Sequence, residues 1–107
     1  IAPEDTDVHD PKLWEGSVLT HNEVRSRFRK IINLGIYDSS SVICHPSSEY
    51  TWWDYRGNAL ASDNGLRIDH LLLSPQAADR LNEYYVKKQL RELEKPSDHA
   101  PVVARFS

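Results

Sequence analysis

Two prolines close to the C-terminal end place the tightest constraint on this chain. Pro96 and Pro101 bracket Ser97-Asp98-His99-Ala100. Each ring fixes its own φ and turns the preceding residue away from helix, so the segment is a short, stiff loop leading into a strand. A stiff loop can aim side chains. Asp98 can accept hydrogen bonds or hold a cation, and His99, with an ordinary pKa of about 6.5, can carry or donate a proton near neutrality. An Asp-His dipeptide arises often by chance, so a polar loop without chemistry is the alternative.

The neighbouring segments supply elements for this loop to join. Val102, Ala104 and Phe106 alternate with Val103 and Arg105, which predicts a final strand. Ser74-Pro75 is an N-cap followed by proline at the first helical position, leading through Ala77, Ala78 and Leu81. The β-prone Tyr84-Tyr85-Val86 makes that helix short and turns the chain back as a strand. Before it, Leu66 to Leu73 is expected to be one strand, joined to Tyr50–Tyr55 through the Gly57–Gly65 loop as a hairpin. In such a strand Leu66, Ile68, His70 and Leu72 share one face, and Asp69 lies among apolar neighbours. A carboxylate there needs a partner, because an unpaired buried charge is expensive. His99 and an arginine are the two candidates. Trp52 and Trp53 point to opposite faces, so both indoles cannot be core, while Trp53 and Tyr55 share a face.

The N-terminal third holds a helix and an acidic loop. Thr20 and Glu23 form a capping-box pattern, Leu19 and Val24 stand as a hydrophobic staple, and Val24, Phe28 and Ile31 recur at helical spacing until Gly35. Arg25, Arg27, Arg29 and Lys30 spread around the polar side as a solvated face. Glu4, Asp5, Asp7, Asp10 and Glu15 lack the glycine and terminal glutamate of an EF-hand loop, so a solvated loop is expected. Ile36 to Cys44 reads as irregular or short extended structure with a Ser39-Ser40-Ser41 turn, and 45–48 as a loop. Cys44-His45 has no partners at zinc spacing.

With 107 residues the chain is expected to form one domain, 1–107, and its lone cysteine excludes an internal disulfide framework. The net charge of −3 argues against a basic coat for nucleic acid, so any polyanion must be met by a local patch or a metal. No apolar run has membrane-spanning length and no signal peptide is recognisable, which leads to the expectation of a cytoplasmic protein without a membrane partner. Ile1-Ala2-Pro3 in place of an initiator methionine suggests a piece of a longer polypeptide.

Taken together, Ile1-Ala2-Pro3-Glu4-Asp5, Thr51-Trp52-Trp53-Asp54-Tyr55-Arg56, Gly65-Leu66-Arg67-Ile68-Asp69-His70 and Lys95-Pro96-Ser97-Asp98-His99-Ala100-Pro101-Val102 resemble the C-terminal half of the bacterial exodeoxyribonuclease III family. These are Mg²⁺-dependent apurinic/apyrimidinic endonucleases and 3′ exonucleases of the endonuclease/exonuclease/phosphatase superfamily. The resemblance implies an α+β class, a deoxyribonuclease I-like β-sandwich flanked by helices, of which this chain is the C-terminal half with one sheet plus helices. It implies Asp69 and His99 as the catalytic pair, with Asp69 orienting His99, and Asp98 as a metal-site acid. Trp52, Leu66 and Ile68 match positions lining a pocket for a flipped-out abasic sugar. That apolar trio also suits a sugar lacking its base, whose extrusion costs least.

By the same resemblance the partners are double-stranded DNA with abasic sites or 3′ ends and an N-terminal half that is missing here. The family's Asp-x-Asn motif, its main metal-binding Glu, a Tyr and a further Asn would all precede Ile1. With one matched ligand, Mg²⁺ or Mn²⁺ is expected to bind weakly or not at all, and the fragment is expected to be inactive alone. A relative acting on phosphoinositides or sphingomyelin shares the Asp-His chemistry but not the pocket. From another class, the chain reads as a non-catalytic binding module whose exposed half-sandwich face is covered by self-association, as in a homodimer. Ser97, Asp98 and His99 do not make a hydrolase triad, because consecutive extended residues point to different sides.

Overall fold

The computed structural model describes residues 1–43 and 49–107. The expectations for Cys44, His45 and the 45–48 loop fall outside the described residues. A 3₁₀ turn at Asp5–Asp7 precedes helix α1 (Asn22–Ile32), strand β1 (Tyr37–Asp38) and a single helical turn α2 (Ser39–Val42). Strands β2 (Trp52–Trp53), β3 (Gly65–Leu66) and β4 (Leu72–Leu73) follow, then helix α3 (Pro75–Asp79) and strand β5 (Leu81–Val86). A second 3₁₀ turn, Lys88–Glu92, leads towards the last strand, β6 (Val102–Phe106). The mixed α+β character matches the expectation. Among the described residues the strands pair as three separate antiparallel ladders, β1 with β4, β2 with β3 and β5 with β6, instead of one sheet. No helix of the described residues is long and apolar enough to cross a membrane.

Helix α1 starts one residue later than its capping-box pattern implies. Thr20 Oγ1 donates to the Trp14 carbonyl at 2.8 Å, and His21 takes over the cap, its Nδ1 accepting from the Glu23 amide at 3.1 Å. The half-buried stripe is Val24, Phe28 and Ile32, four residues apart, while Ile31 is exposed. Arg25 does not join the solvated face. Its Nε donates to the Ala2 carbonyl and its Nη1 to Asp5, both at 2.8 Å, which fastens α1 to the N-terminal segment. Gly35, at φ +96°, supplies the left-handed residue that stops the helix. The expected serine turn is α2, capped by Asp38, whose Oδ1 accepts from the Ser40 amide. Helix α3 follows its sequence signals closely: Ser74 Oγ accepts from the Ala77 amide at 3.2 Å, and Pro75 opens the helix.

The expected Leu66–Leu73 strand is broken. It runs two residues as β3 and re-enters a different ladder as β4, opposite Tyr37 and Asp38. Between the two, the amides of both Ile68 and Asp69 donate to Thr51 Oγ1, at 3.0 and 3.1 Å. Consecutive amides of a regular strand point to opposite edges, so two that converge on one oxygen take the chain out of the ladder. Asp69 therefore sits on a half-exposed connection, not among apolar strand neighbours.

Residue alternation does hold across the two indoles. Trp53, 1% exposed, packs with Ala59 and Ala100, flanked by Tyr50, Leu60 and Val86. Trp52 faces the other way, onto Ala2, Val8 and Leu66 with Trp14, Leu19 and Ile68. Tyr55 leaves this pattern and is 62% exposed, because the strand ends at Trp53.

Arg67 ties these parts together from within. It binds Asp7 through Nε at 2.7 Å and Nη2 at 3.3 Å, and Asp38 through Nη1 at 2.9 Å. Asp7, expected in a solvated loop, is instead 2% exposed. The same Nη1 lies 3.1 Å from His70 Nδ1, and His70 Nε2 lies 2.8 Å from the Ile1 carbonyl. A guanidinium only donates and a carbonyl only accepts, so His70 is neutral with its proton on Nε2. Burial and the adjacent Arg67 cation lower its pKa, against the raising effect of the Ile1 carbonyl.

Removing the cation strands two buried carboxylates. Arg67→Met is expected to lose about 3–5 kcal/mol of stability in urea denaturation. For His70, whose folded pKa lies below its unfolded value of about 6.5, the unfolded chain binds the extra proton first as pH falls. Its contribution is intact above about 6.5 and is lost as pH drops below it. The thermal midpoint should fall between pH 7.5 and 5.5, and fall less in His70→Gln.

Candidate active site

The Pro96–Pro101 loop is held at both ends. Arg91, in the second 3₁₀ turn, donates to the Ser97 carbonyl at 3.2 Å and the Trp53 carbonyl at 2.8 Å, and its guanidinium lies 5.0 Å from the centre of the Tyr55 ring. Tyr55 Oη donates to the Pro96 carbonyl at 2.7 Å. Further on, the Trp53 amide donates to the Asp98 carbonyl and the Ala100 amide to the Thr51 carbonyl, with Trp52 and His99 opposite one another in a lone bridge. Residues 98–100 thus lie alongside 51–53 as a short third partner of the β2–β3 hairpin. The Ser97 hydroxyl accepts from the His99 amide at 3.1 Å, which sets the bend from which His99 projects.

In this setting His99 Nδ1 and Asp69 Oδ2 are 2.7 Å apart. Of the two partners considered for Asp69, the structure pairs it with His99, and Arg67 next to it is committed to Asp7 and Asp38. A carboxylate on Nδ1 fixes that nitrogen as the donor and leaves Nε2 available to another partner. The nearest acid to Nε2 is Asp98, with Oδ1 at 3.9 Å, beyond a hydrogen bond. The side chains of Asp69, His99 and Asp98 are 37%, 42% and 41% exposed, open enough for a ligand to reach them.

Asp98 has a second commitment. Its Oδ2 accepts from Trp52 Nε1 at 2.9 Å, joining the acid to the indole. Trp52 lies opposite Leu66 in the hairpin, and Ile68 follows two residues on. Leu66 is completely buried, so the accessible wall is formed by Trp52 and Ile68 with Leu66 behind them. The structure therefore brings all six predicted site residues into one chain of contacts or adjacent positions.

Sequence reasoning missed two groups here. Trp14 stands edge-on to Trp52, with ring centres 5.8 Å apart and planes at 85°, and its Nε1 donates to His9 Nε2 at 3.2 Å. A tryptophan in an otherwise polar loop was the available signal, since so large an apolar surface is seldom left in water. Thr51, fully buried, carried no signal within a single sequence.

For a divalent cation the fit is incomplete. Mg²⁺ requires near-octahedral oxygen ligation. Among the described residues no three His, Cys, Asp or Glu side chains converge on one point. Asp98 offers one free carboxylate oxygen, and the residues present do not form a metal site on their own.

No family model matches the chain. It superposes with a TM-score of 0.95 on a 3′ phosphatase from Neisseria, NExo, solved with a product DNA hairpin, at 42% identity over 100% of this chain and 42% of that one. An AP endonuclease from Archaeoglobus fulgidus gives a TM-score of 0.94 at 38% identity, covering 99% of this chain and 42% of the other. The fold is thus that of the exonuclease and AP endonuclease structures. In sequence the chain is similar to exodeoxyribonuclease III of Haemophilus influenzae, 33% identical over 113 aligned residues that cover 99% of this chain and 42% of that protein. The resemblance carried by the motifs therefore extends over essentially the whole chain, which spans about two fifths of the length of the curated relatives it matches.

The hairpin that carries the wall leaves no space at Gly65. A β-carbon there would stand 2.6 Å from Trp53 Nε1, 2.7 Å from Tyr50 Cβ and 2.9 Å from the Trp52 carbonyl. The last of these is backbone and cannot swing aside. Gly65→Ala is expected to cost about 1–3 kcal/mol and to red-shift tryptophan emission as the indoles move towards water, read by denaturation and fluorescence.

Proposed function

We propose that this chain is part of a DNA-repair phosphodiesterase that cleaves DNA at abasic sites and removes nucleotides from 3′ ends, and that it is inactive by itself. The observation that carries the reading is the 2.7 Å Asp69–His99 bond joined through Asp98 to the Trp52 wall. In this role Asp69 holds the Nδ1 proton of His99. That leaves Nε2 to donate a hydrogen bond to a non-bridging oxygen of the scissile phosphate, where negative charge builds up in the transition state. Trp52 and Ile68, backed by Leu66, receive the extruded abasic sugar, whose lack of a base suits an apolar slot and lowers the cost of extrusion. Similarity to a phosphatase solved with a DNA hairpin and to an AP endonuclease supports DNA as the substrate. Mg²⁺ or Mn²⁺ enters this reading as a group held mainly by side chains outside the described residues, with Asp98 as one contributor.

A second role is favoured by a groove beside α1 and β1. The groove of about 480 Å³, lined by Phe28, Ile32, Ile36 and Tyr37 among others, adjoins a smaller cavity between Tyr37, Val42 and Pro75, and Leu34 beside it is 81% exposed. An apolar face of this kind invites a covering partner. The N-terminal half of the same fold is the partner proposed, with a second copy of this chain as the alternative.

The test is cleavage of a duplex bearing one abasic site, with Mg²⁺, by this chain alone and mixed with a separately made N-terminal half. Cleavage is expected only in the mixture, and Asp69→Asn should reduce it about 10²–10³-fold. Cleavage by the chain alone would overturn its proposed inactivity. Silence in both, with a dimeric mass, would favour the assembly reading.

A further inference from the structure

We infer that Thr51, which is buried beneath the Asp69–His99 pair and meets the wall residues Leu66 and Ile68 only through their backbone, is the positioning residue that sets that pair; its importance for catalysis rests on the function proposed above. Its side chain uses every hydrogen-bonding position a hydroxyl has. Oγ1 accepts from the Ile68 amide at 3.0 Å and the Asp69 amide at 3.1 Å, and donates to the Leu66 carbonyl at 3.4 Å. Its backbone completes the set. The Thr51 amide donates to the Leu66 carbonyl at 2.9 Å, and the Thr51 carbonyl accepts from the Ala100 amide at 2.8 Å.

The two halves of the pair arrive on unrelated loops, and Thr51 is the residue to which both are tied. On one side it holds Ile68 and Asp69 by their amides. On the other it holds Ala100, the residue after His99. Thr51 is completely buried, so loss of the hydroxyl leaves the two amides aimed at a site closed to water unless the half-exposed 68–69 turn moves. β-Branching restricts χ1, which keeps the oxygen aimed at the turn with little entropy left to lose. A shift of one ångström in the Asp69 carboxylate would break its 2.7 Å contact with His99.

Two variants separate the hydroxyl from its packing. Thr51→Val keeps the shape and removes the acceptor, whereas Thr51→Ser keeps the acceptor and removes a methyl group. The first readout, on the full 107-residue chain, is the downfield imidazole proton of His99 Nδ1 in NMR, with amide hydrogen exchange at Ile68 and Asp69. The wild type and Thr51→Ser should show the downfield resonance and protected amides. Thr51→Val should lose the resonance and raise exchange at the two amides about ten- to a hundredfold, with exchange in β5 and β6 unchanged. Equal loss in both variants would assign the effect to the methyl group and overturn the inference, as would an unaltered Thr51→Val. If Thr51→Val does not fold, wild-type exchange decides: amides at 68 and 69 as fast as those of an open loop would rule the inference out. Cleavage by the reconstituted mixture is the second readout, with kcat expected to fall in Thr51→Val and to recover in Thr51→Ser. Because the NMR result does not depend on nuclease activity, a failure of the proposed function would leave a lost resonance without lost activity.

Discussion

The guanidinium of Arg67 is the interaction on which the remaining architecture depends. It reaches the buried carboxylates of Asp7 in the 3₁₀ turn and Asp38 in β1, and the half-buried ring of His70. These segments share no continuous sheet, since each ladder has two strands. In a larger sandwich, neighbouring strands would hold such pieces in place by backbone bonds. Here backbone bonds from Arg67 to Asp7 and from His9 to Gly65 hold the turn to β3, and one planar fork of donors adds β1 to the same point, a geometry lysine cannot reproduce. Desolvating the three charges is costly. The gain is specificity, because only one arrangement of the turn, the strand and the connection satisfies every donor.

The same residue explains much of what was and was not legible in the sequence. Local signals were reliable where a few neighbouring residues decide the outcome: Ser74-Pro75 opening α3, the hairpin around the Gly57–Gly65 loop, the final strand β6 and the opposed indoles all stand as expected. The Leu66–Leu73 run was misread because its apolar alternation is real but its hydrogen bonds go elsewhere, to Asp7 and Thr51. Asp7 itself looked like one acid among five in a solvated loop. Its cation lies sixty positions away, and no periodicity reports a partner at that distance. Asp69 and His99 were found together by chemical need and by resemblance, whereas Thr51 was silent because a hydroxyl within a β-prone string is ordinary until its two amide donors are known.

Trp52 and Asp98 form a second kind of coupling. The acid shares one oxygen with the indole and leaves the other 3.9 Å from His99, so the carboxylate that anchors the wall stands beside the imidazole. Trp14 braces the indole edge-on from behind and is itself fixed by His9. Aromatic contact and hydrogen bond together confine the tilt of the ring more tightly than either alone.

The separation of these partners along the chain also sets an order in time. Asp69 waits for His99 across 30 residues, Trp52 for Asp98 across 46 and Asp7 for Arg67 across 60. Contacts of that span are rewarded only after their loops have closed, the topology of slow folding. On a ribosome adding about 5–20 residues per second, Asp7 is made roughly 3–12 seconds before its cation exists. Through that interval the carboxylate that will be buried must remain hydrated, and the N-terminal turn cannot dock until the chain has grown past the hairpin.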